Sequence, residues 1–578
     1  MKNVKNLFGM AVMATALVGC SSNDNLNPNA NDNAGKAGTA YASFKINLPT
    51  TSGTRAADDG KPTFAEGDAK EYEVNNGTIL IFDTDGKFVE SADLGTMNPW
   101  TKDTDANGVT TAAAVTVQLH DVKVGTSYKA LVLLNNNSGT TTQKVALPTS
   151  SSDTYDAWSK ETLNVTVDNY KSTDGIFMAN APKYESATED PTTLVDLNYV
   201  YASREQAQAN PATVVYVERG LAKVTMDDFD STYPINAGTY KGDNVKIVNW
   251  QLDVTNRSTF PIHQANLKSG WSDIWNTPRF YDTETTSAFK RVYWGTDPNY
   301  SGTANQTLAD CKTAFNMIGN GDVKGLPGTP QYCLENTFDL DNMKQGQTTR
   351  VVFKAVYTPK SLVGESVKTF YKVANNTAIW KEANLKQQIL TLALNAMKIT
   401  DPTEQAMYSV DLTKGSKISS VAGQHLIAAD NIKFDPGTST KTSQVTADVI
   451  KEVNDKLGLS EDPTTHKVKV GISTYLNGEA YYIARIMHFN TLTPWEPGQP
   501  TYKDASLLTT EQSNKNYLGR YGVLRNNWYS LSVHSISNLG YPEVPEVKPN
   551  VPDDENDQYI NVEVKILDWA KRSQSIDL

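Results

Sequence analysis

The chain of 578 residues contains six histidines, His120, His263, His425, His466, His488 and His534, and they stand far apart. None lies in a His-x-x-x-His pattern, and no cysteines fall in Cys-x-x-Cys, so the usual zinc spacings are missing. No serine occupies a Gly-x-Ser-x-Gly elbow and no Gly-rich phosphate loop occurs, which leaves acyl and phosphoryl transfer without a candidate site. One string has calcium-loop character: Asp103, Asp105, Asn107 and Gly108 in DTDANG. A helix-loop-helix calcium site needs a bidentate glutamate at its twelfth position. Ala114 stands there, so the string reads as a polar hairpin loop. The acidic run at 552–556 reads as a solvated linker. No cofactor or metal is implied, and an enzyme has no positive support.

Two places carry chemistry of another kind. Lys2 and Lys5 precede an apolar run, Leu7 to Val18, that ends in Leu17-Val18-Gly19-Cys20. This is a signal peptide, too short to span a bilayer comfortably. Small residues before Cys20 let a lipoprotein signal peptidase reach the backbone, after which Cys20 carries acyl chains worth about 0.8 kcal/mol per buried CH₂. The other reading is an ordinary secretory signal with an accidental cysteine. Residues 21–38, rich in Asn, Asp and Gly, form a flexible tether. The second place is Arg55, in a loop of small and polar residues from Thr50 to Gly60. Such a loop is open to a protease; it is equally a plain connection behind a permanent strand.

The net charge of −12 excludes nucleic acid as a partner, since its binding needs a basic surface. Trp271, Trp275, Tyr281, Tyr293 and Trp294 cluster in the sequence, as a stacking platform for sugars or as core. Cys311 and Cys333 either form a bridge, worth about 3 kcal/mol in the chain-entropy model, or remain two small apolar residues.

The elements that must position these residues are mostly strands, as the Thr, Asn, Val and Tyr content favours. Ala42, Phe44, Ile46 and Leu48 alternate with Ser43, Lys45 and Asn47, a strand with one buried face that Pro49 ends. GTILIFDTDGKFVE (77–90) is a hairpin around Asp83 to Gly86. AAVTVQL and YKALVLLNNN are strands, the second central. TYDAWSKETL opens a short helix with Thr154 as N-cap. VVYVERGLAKVTM (214–226) is a long strand interrupted near Gly220, with a domain boundary just before it. VKIVNWQLDVTN, TTRVVFKAVYTP, AYYIARIMHF and NNWYSLSVHSIS follow as strands, and Asn477-Gly478 signals a two-residue hairpin. Two helices interrupt, one with the stripe Leu385, Ile389, Leu392 and Ala396, the other with Val449, Val453 and Leu457 closed by Gly458. A proline-rich acidic connector, Pro542 to Gln558, lets the next strand stand apart from the body. In that strand Ile560, Val562, Val564 and Ile566 share a face; Trp569, Ile576 and Leu578 follow. The fold class expected is mainly β: two β-sandwich domains with a few short helices.

These residues resemble the fimbrillins, lipoprotein-precursor pilins of Bacteroidia-type (type V) fimbriae, and most of all their minor-fimbrillin branch. The resemblance rests on the lipobox at Cys20, Thr54-Arg55-Ala56-Ala57, YKALVLLNNN, VERGLAKVTM, CLENTFDL leading into TTRVVFKAVYTPK, LRNNWYSLSVHSISNLGYP and the closing INVEVKILDWAKRSQSIDL. It implies transthyretin-like sandwiches and a route of assembly. The lipidated precursor reaches the outer membrane, an Arg-specific surface protease cuts between Arg55 and Ala56, the strand at 42–48 leaves, and the C-terminal strand of another copy replaces it. The implied organisation is a signal peptide at 1–20, a propeptide at 21–55, an N-terminal domain at 56–213 and a C-terminal domain at 214–578 ending in a donor segment at 560–578. Its partners would be further copies, anchor and tip subunits, and the protease. The alternatives are a tip adhesin or carbohydrate-binding surface lipoprotein and, far behind, a surface enzyme.

Overall fold

The structure is a computed structural model that describes residues 39–48, 68–95, 101–105, 108–173, 175–185, 190–230, 232–265, 290–300, 307–339, 342–413, 423–488, 518–553, 560–568 and 571–572. It is mainly β, with few helices.

The N-terminal half contains β1 (Ala40–Leu48), β2 (Gly77–Phe82), β3 (Phe88–Asp93), β4 (Thr101–Asp105), β5 (Gly108–Leu119), β6 (Tyr128–Leu134), β7 (Met178–Asn180), β8 (Val195–Leu197) and β9 (Thr213–Arg219). They form one nine-stranded sheet in the order β3-β2-β6-β7-β9-β1-β5-β4, with β8 also on β6. The sheet curls until its two ends meet: the Glu90 carboxylate on β3 accepts the amides of His120 and Asp121, just past β5, at 2.9–3.0 Å. Its concave side encloses Ile79, Ile81, Val132, Val215 and Val217 together with the apolar residues of β1. The other faces of β2 and β6 are covered too, where Leu80, Phe82, Leu131 and Leu133 meet Trp158, Tyr170 and Phe177. Burial on both faces explains why these two strands are apolar runs rather than alternating ones. The 77–90 hairpin forms as expected, and DTDANG does join β4 to β5 as a hairpin, with Asp105 opposite Gly108. Thr154 caps the helix Tyr155–Ser159 by accepting from the Ala157 amide.

The C-terminal half contains β10 (Ala222–Met226), β11 (Tyr233–Pro234), β12 (Asn244–Asp253), β13 (Gln331–Cys333), β14 (Arg350–Thr358), β15 (Phe370–Val373), β16 (Ile472–Tyr475), β17 (Glu479–Arg485), β18 (Asn527–Ile536), β19 (Ile560–Asp568) and β20 (Lys571–Arg572). A five-stranded sheet, β13-β10-β18-β19-β20, faces a four-stranded one, β11-β12-β14-β17. Between them Val224, Tyr529 and Leu531 meet Ile247, Trp250, Phe353 and Tyr482 in one apolar core, a β-sandwich.

The long strand expected at 214–226 is two strands in two sheets. β9 pairs with β1 and β7, whereas β10 pairs with β13 and β18. The change of sheet falls at Gly220. A Cβ on Gly220 would lie 2.7 Å from the Tyr170 ring, so only glycine lets the chain cross there. Asn477 and Gly478 do take positive φ. The hairpin is nevertheless absent, because β16 pairs with β15 while β17 pairs with β14, so the turn carries the chain between sheets.

The two expected helices form a further apolar body with Tyr371, Val373 and Ile472. The helix Glu382–Ala396 buries Leu385, Ile389 and Ala393, and the expected Leu392 and Ala396 pack half-buried against the same body. The helix Ala447–Leu457 buries Val449 and Val453 and ends at Gly458 in the left-handed region.

The connector is not loose over its described part, 542–553. Arg350 donates to the Pro545 carbonyl at 2.7 Å, the Gln345 amide to the Val551 carbonyl at 2.8 Å, and the Thr348 hydroxyl to Asp553 at 3.1 Å. Val547 is buried beside Val254 and Phe315. Proline and glutamate suggested a solvated linker, but distant donors on the sandwich bind its carbonyls.

Candidate functional site

β1 is an interior strand. It runs antiparallel to β5 over the full register from Ala40↔Leu119 to Leu48↔Thr111, and parallel to β9 from Phe44↔Thr213 to Asn47↔Tyr216. Ala42, Phe44, Ile46 and Leu48 are all buried in the concave core, while Lys45 is exposed on the other face. Ser43 Oγ lies 2.9 Å from Thr116 Oγ1. Tyr41 and Tyr201 exchange both backbone hydrogen bonds at 2.8 Å. The strand is therefore held by ladders on two sides and by five apolar residues below. Cys20, Arg55, Ala56 and Pro49 lie outside the described residues.

The C-terminal strand, β19, runs antiparallel to β18. Ile560 stands opposite Ile536, Val562 opposite Val533, and Val564 opposite Leu531. β20 adds a short pairing to both β18 and β19. In this chain the candidate donor thus completes its own sheet, with Ile566 opposite Arg572. Trp569, Ile576 and Leu578 lie outside the described residues.

Between the two halves is a set of buried charges that the sequence did not reveal. Glu218 and Arg219 end β9, and Lys223 sits on β10. Lys223 Nζ lies 2.7 Å from Glu71 and 3.8 Å from the centre of the Trp528 ring. Arg219 donates to the Glu71 carbonyl at 2.7 Å and to the Asn526 side chain at 3.1 Å. Arg525 is paired with Glu335, its Nε donating at 2.9 Å. Burial pulls Arg525 toward its neutral form, but the Glu335 charge and hydrogen bonds outweigh that and hold it above its usual pKa. Burial likewise raises Glu218, and the neighbouring His263 and Arg291 more than reverse it, so Glu218 is held below the ordinary carboxylate value. The set is assembled from stretches far apart in the chain, around 71, 218–223, 263, 291, 335 and 525, which is why no local pattern announces it.

Two pairs of alternatives remain, for the cysteines and for the aromatic cluster. No bond joins Cys311 to Cys333: Cys311 sits with Phe315 and Val547, and Cys333 sits in the sandwich core. Burial pushes their thiols up, to about 11 and about 12. Tyr293 and Trp294 are buried at 2% and 0% exposure against Phe338 and Leu524, so these two rings cannot form a sugar platform. Trp271, Trp275 and Tyr281 lie outside the described residues. Among the described residues there is no group of three or more His, Cys, Asp or Glu placed to hold a metal. Nor is any helix among them long and apolar enough to cross a membrane.

Residues 473–575, from β16 through β20, match the family described as "Major fimbrial subunit protein type IV, Fimbrillin, C-terminal". Over these residues the chain is similar to the C-terminal part of the fimbrillins. The match takes in β17, the edge strand of one sheet of the sandwich, and the β18–β19 pair of the other. The chain also has a distant likeness to a crystal structure of a fimbrial assembly protein from Parabacteroides distasonis ATCC 8503, at 13% identity over 56% of this chain and 84% of that one, with a TM-score of 0.26. No curated protein matches the chain. The matched family is, by its description, one of major fimbrial subunits.

Proposed function

We propose that this chain is a fimbrillin, a stalk subunit of the minor-fimbrillin kind that polymerises by strand replacement. A lipid on Cys20 anchors the precursor to the outer membrane, and an Arg-specific protease cuts between Arg55 and Ala56. β1 then leaves, and the C-terminal strand of another copy enters between β5 and β9.

The observation that carries this reading is the seat of β1. β1 is the interior strand of the N-terminal sheet nearest the N-terminus, and a single cut at Arg55, a few residues past its end, would free it. Its departure opens two facing strand edges over an apolar floor, a site for strand addition. Refilling it with three large apolar side chains contributes about 1.5–3 kcal/mol each, and each ladder hydrogen bond adds about 1 kcal/mol net. Those gains offset the entropy of association. One slot and one donor per subunit give a head-to-tail contact that propagates as an open filament.

The pattern of the slot also speaks to the donor. β1 fills it with apolar residues at 42, 44, 46 and 48, and Ile560, Val562, Val564 and Ile566 repeat that spacing. The tail 570–578 offers Ala570, Ile576 and Leu578 with a polar stretch between. On this reading β19 itself moves and the tail extends it, while the bound-down connector stays with its own subunit. The test is Arg55→Ala: the variant stays uncut, lipid-bound and monomeric, and wild-type fibre subunits begin at Ala56. Fibre subunits that still begin at Cys20 refute the proposal.

A further inference from the structure

We infer that a groove on the outer face of the N-terminal sheet is a binding site for a neutral oligosaccharide. β7 pairs with the upper end of β6, at Leu133 and Leu134, and β8 with its lower end, from Tyr128 to Ala130. Among the described residues no ladder joins β8 to β9, so the sheet parts along the lower half of β9. A cavity of about 710 Å³ lies over that parting. This is the volume range of small-molecule sites, about 300–1,000 Å³.

Its lining has the chemistry of sugar recognition. Tyr199 is 70% exposed, so its ring belongs to no core. It stacks on Tyr201 with centroids 6.5 Å apart and planes 30° apart, and Tyr201 is fixed by its double backbone bridge to Tyr41. The pair offers a fixed aromatic face beside a polar floor. The charged lining residues balance: Lys129 and Lys183 against Glu185 and Asp196. Lys183 and Glu185 are paired with each other at 3.0 Å. A groove with no net charge gives an anion nothing to gain, and its polar walls suit an apolar ligand poorly. Carboxylates that accept from hydroxyls, ammonium groups that donate to them, and a ring face that takes the C–H side of a pyranose together fit a polyhydroxylated, uncharged ligand. These residues are separate from the buried Tyr293 and Trp294.

Ser43 of β1 also lines the groove, so the experiment uses the full uncut chain and is independent of strand replacement. Saturation-transfer NMR and titration are run with maltotriose, cellotriose and lactose, with a heparin tetrasaccharide and a peptide of residues 560–578 as competitors. At least one neutral sugar binds saturably. Tyr199→Ala weakens it about 2- to 10-fold, the range for one aromatic contact, Tyr199→Phe retains it, and the melting temperature stays at the wild-type value because the ring is exposed. The proposal is overturned if none of the three sugars binds at millimolar concentration, if binding is indifferent to Tyr199→Ala and Tyr201→Ala, or if the heparin fragment or the peptide binds the groove in preference.

Discussion

Truncating Phe44 to alanine in the uncut chain measures how firmly β1 is seated. The side chain is fully buried, in a cluster shared with Val117, Val132 and Val217, and its strand is clamped by ladders to β5 and β9. A site clamped on both sides cannot collapse into the space left, so the loss should lie in the usual range for a buried Phe→Ala, about 3–5 kcal/mol. At about 1.4 kcal/mol per factor of ten, local opening rises roughly a hundred- to several-thousand-fold. Hydrogen exchange with mass spectrometry reads this directly, because the amides of β5 facing β1 exchange when that part of the sheet opens. Peptides covering 111–119 should lose protection by that factor in Phe44→Ala. They should change by less than about 0.5 kcal/mol in Lys45→Ala, whose side chain is exposed on the opposite face. A loss below about 1 kcal/mol in Phe44→Ala would refute the seat as described, and with it the idea that the slot binds a replacement strand tightly.

Deleting residues 560–578 removes the whole candidate donor, so the protein should be cut at Arg55 and cap fibres without extending them; fibres of normal length would move donation to another part of the chain. Cys311 and Cys333, with thiols raised to about 11 and about 12 by burial, should carry thiolate fractions of roughly 10⁻³ or less at pH 8 and resist Ellman's reagent until denaturant is added; fast native labelling, or a bridged peptide in the mass spectrum, contradicts this. Glu335→Ala strands the buried Arg525 guanidinium and should destabilise by about 3–5 kcal/mol, whereas the Glu335→Leu, Arg525→Met double variant should recover much of that in chemical denaturation; equal losses in both would show that the charge itself is not what destabilises.

The sequence alone determined what depends on near neighbours. Period-two alternation marked 42–48 and 560–566 as strands with one apolar face, and the structure forms both. Asp83 to Gly86 fixed the first hairpin, while Thr154 and Gly458 fixed helix ends through local capping. The missing ligand spacings likewise left metal and nucleophile chemistry without a sequence pattern. Tertiary structure decided everything that depends on a partner far along the chain. Alternation tells which residues of β1 are buried but not that β5 and β9 will flank it, since ladder pairing carries no local signature. Gly220 reads as an interruption; that it divides two sheets follows from the Tyr170 ring beside it. The connector reads as solvated because its residues are mostly polar or proline, yet Arg350, almost two hundred positions earlier, binds its backbone. Tyr293 and Trp294 cluster with other aromatics in the sequence, but burial against Phe338 and Leu524 makes them core. The buried charges at the junction and the open tyrosines of the groove are assembled from separate strands and loops. Their chemistry exists only once the chain has folded, because burial and proximity create it and neither is a property of a short stretch of sequence.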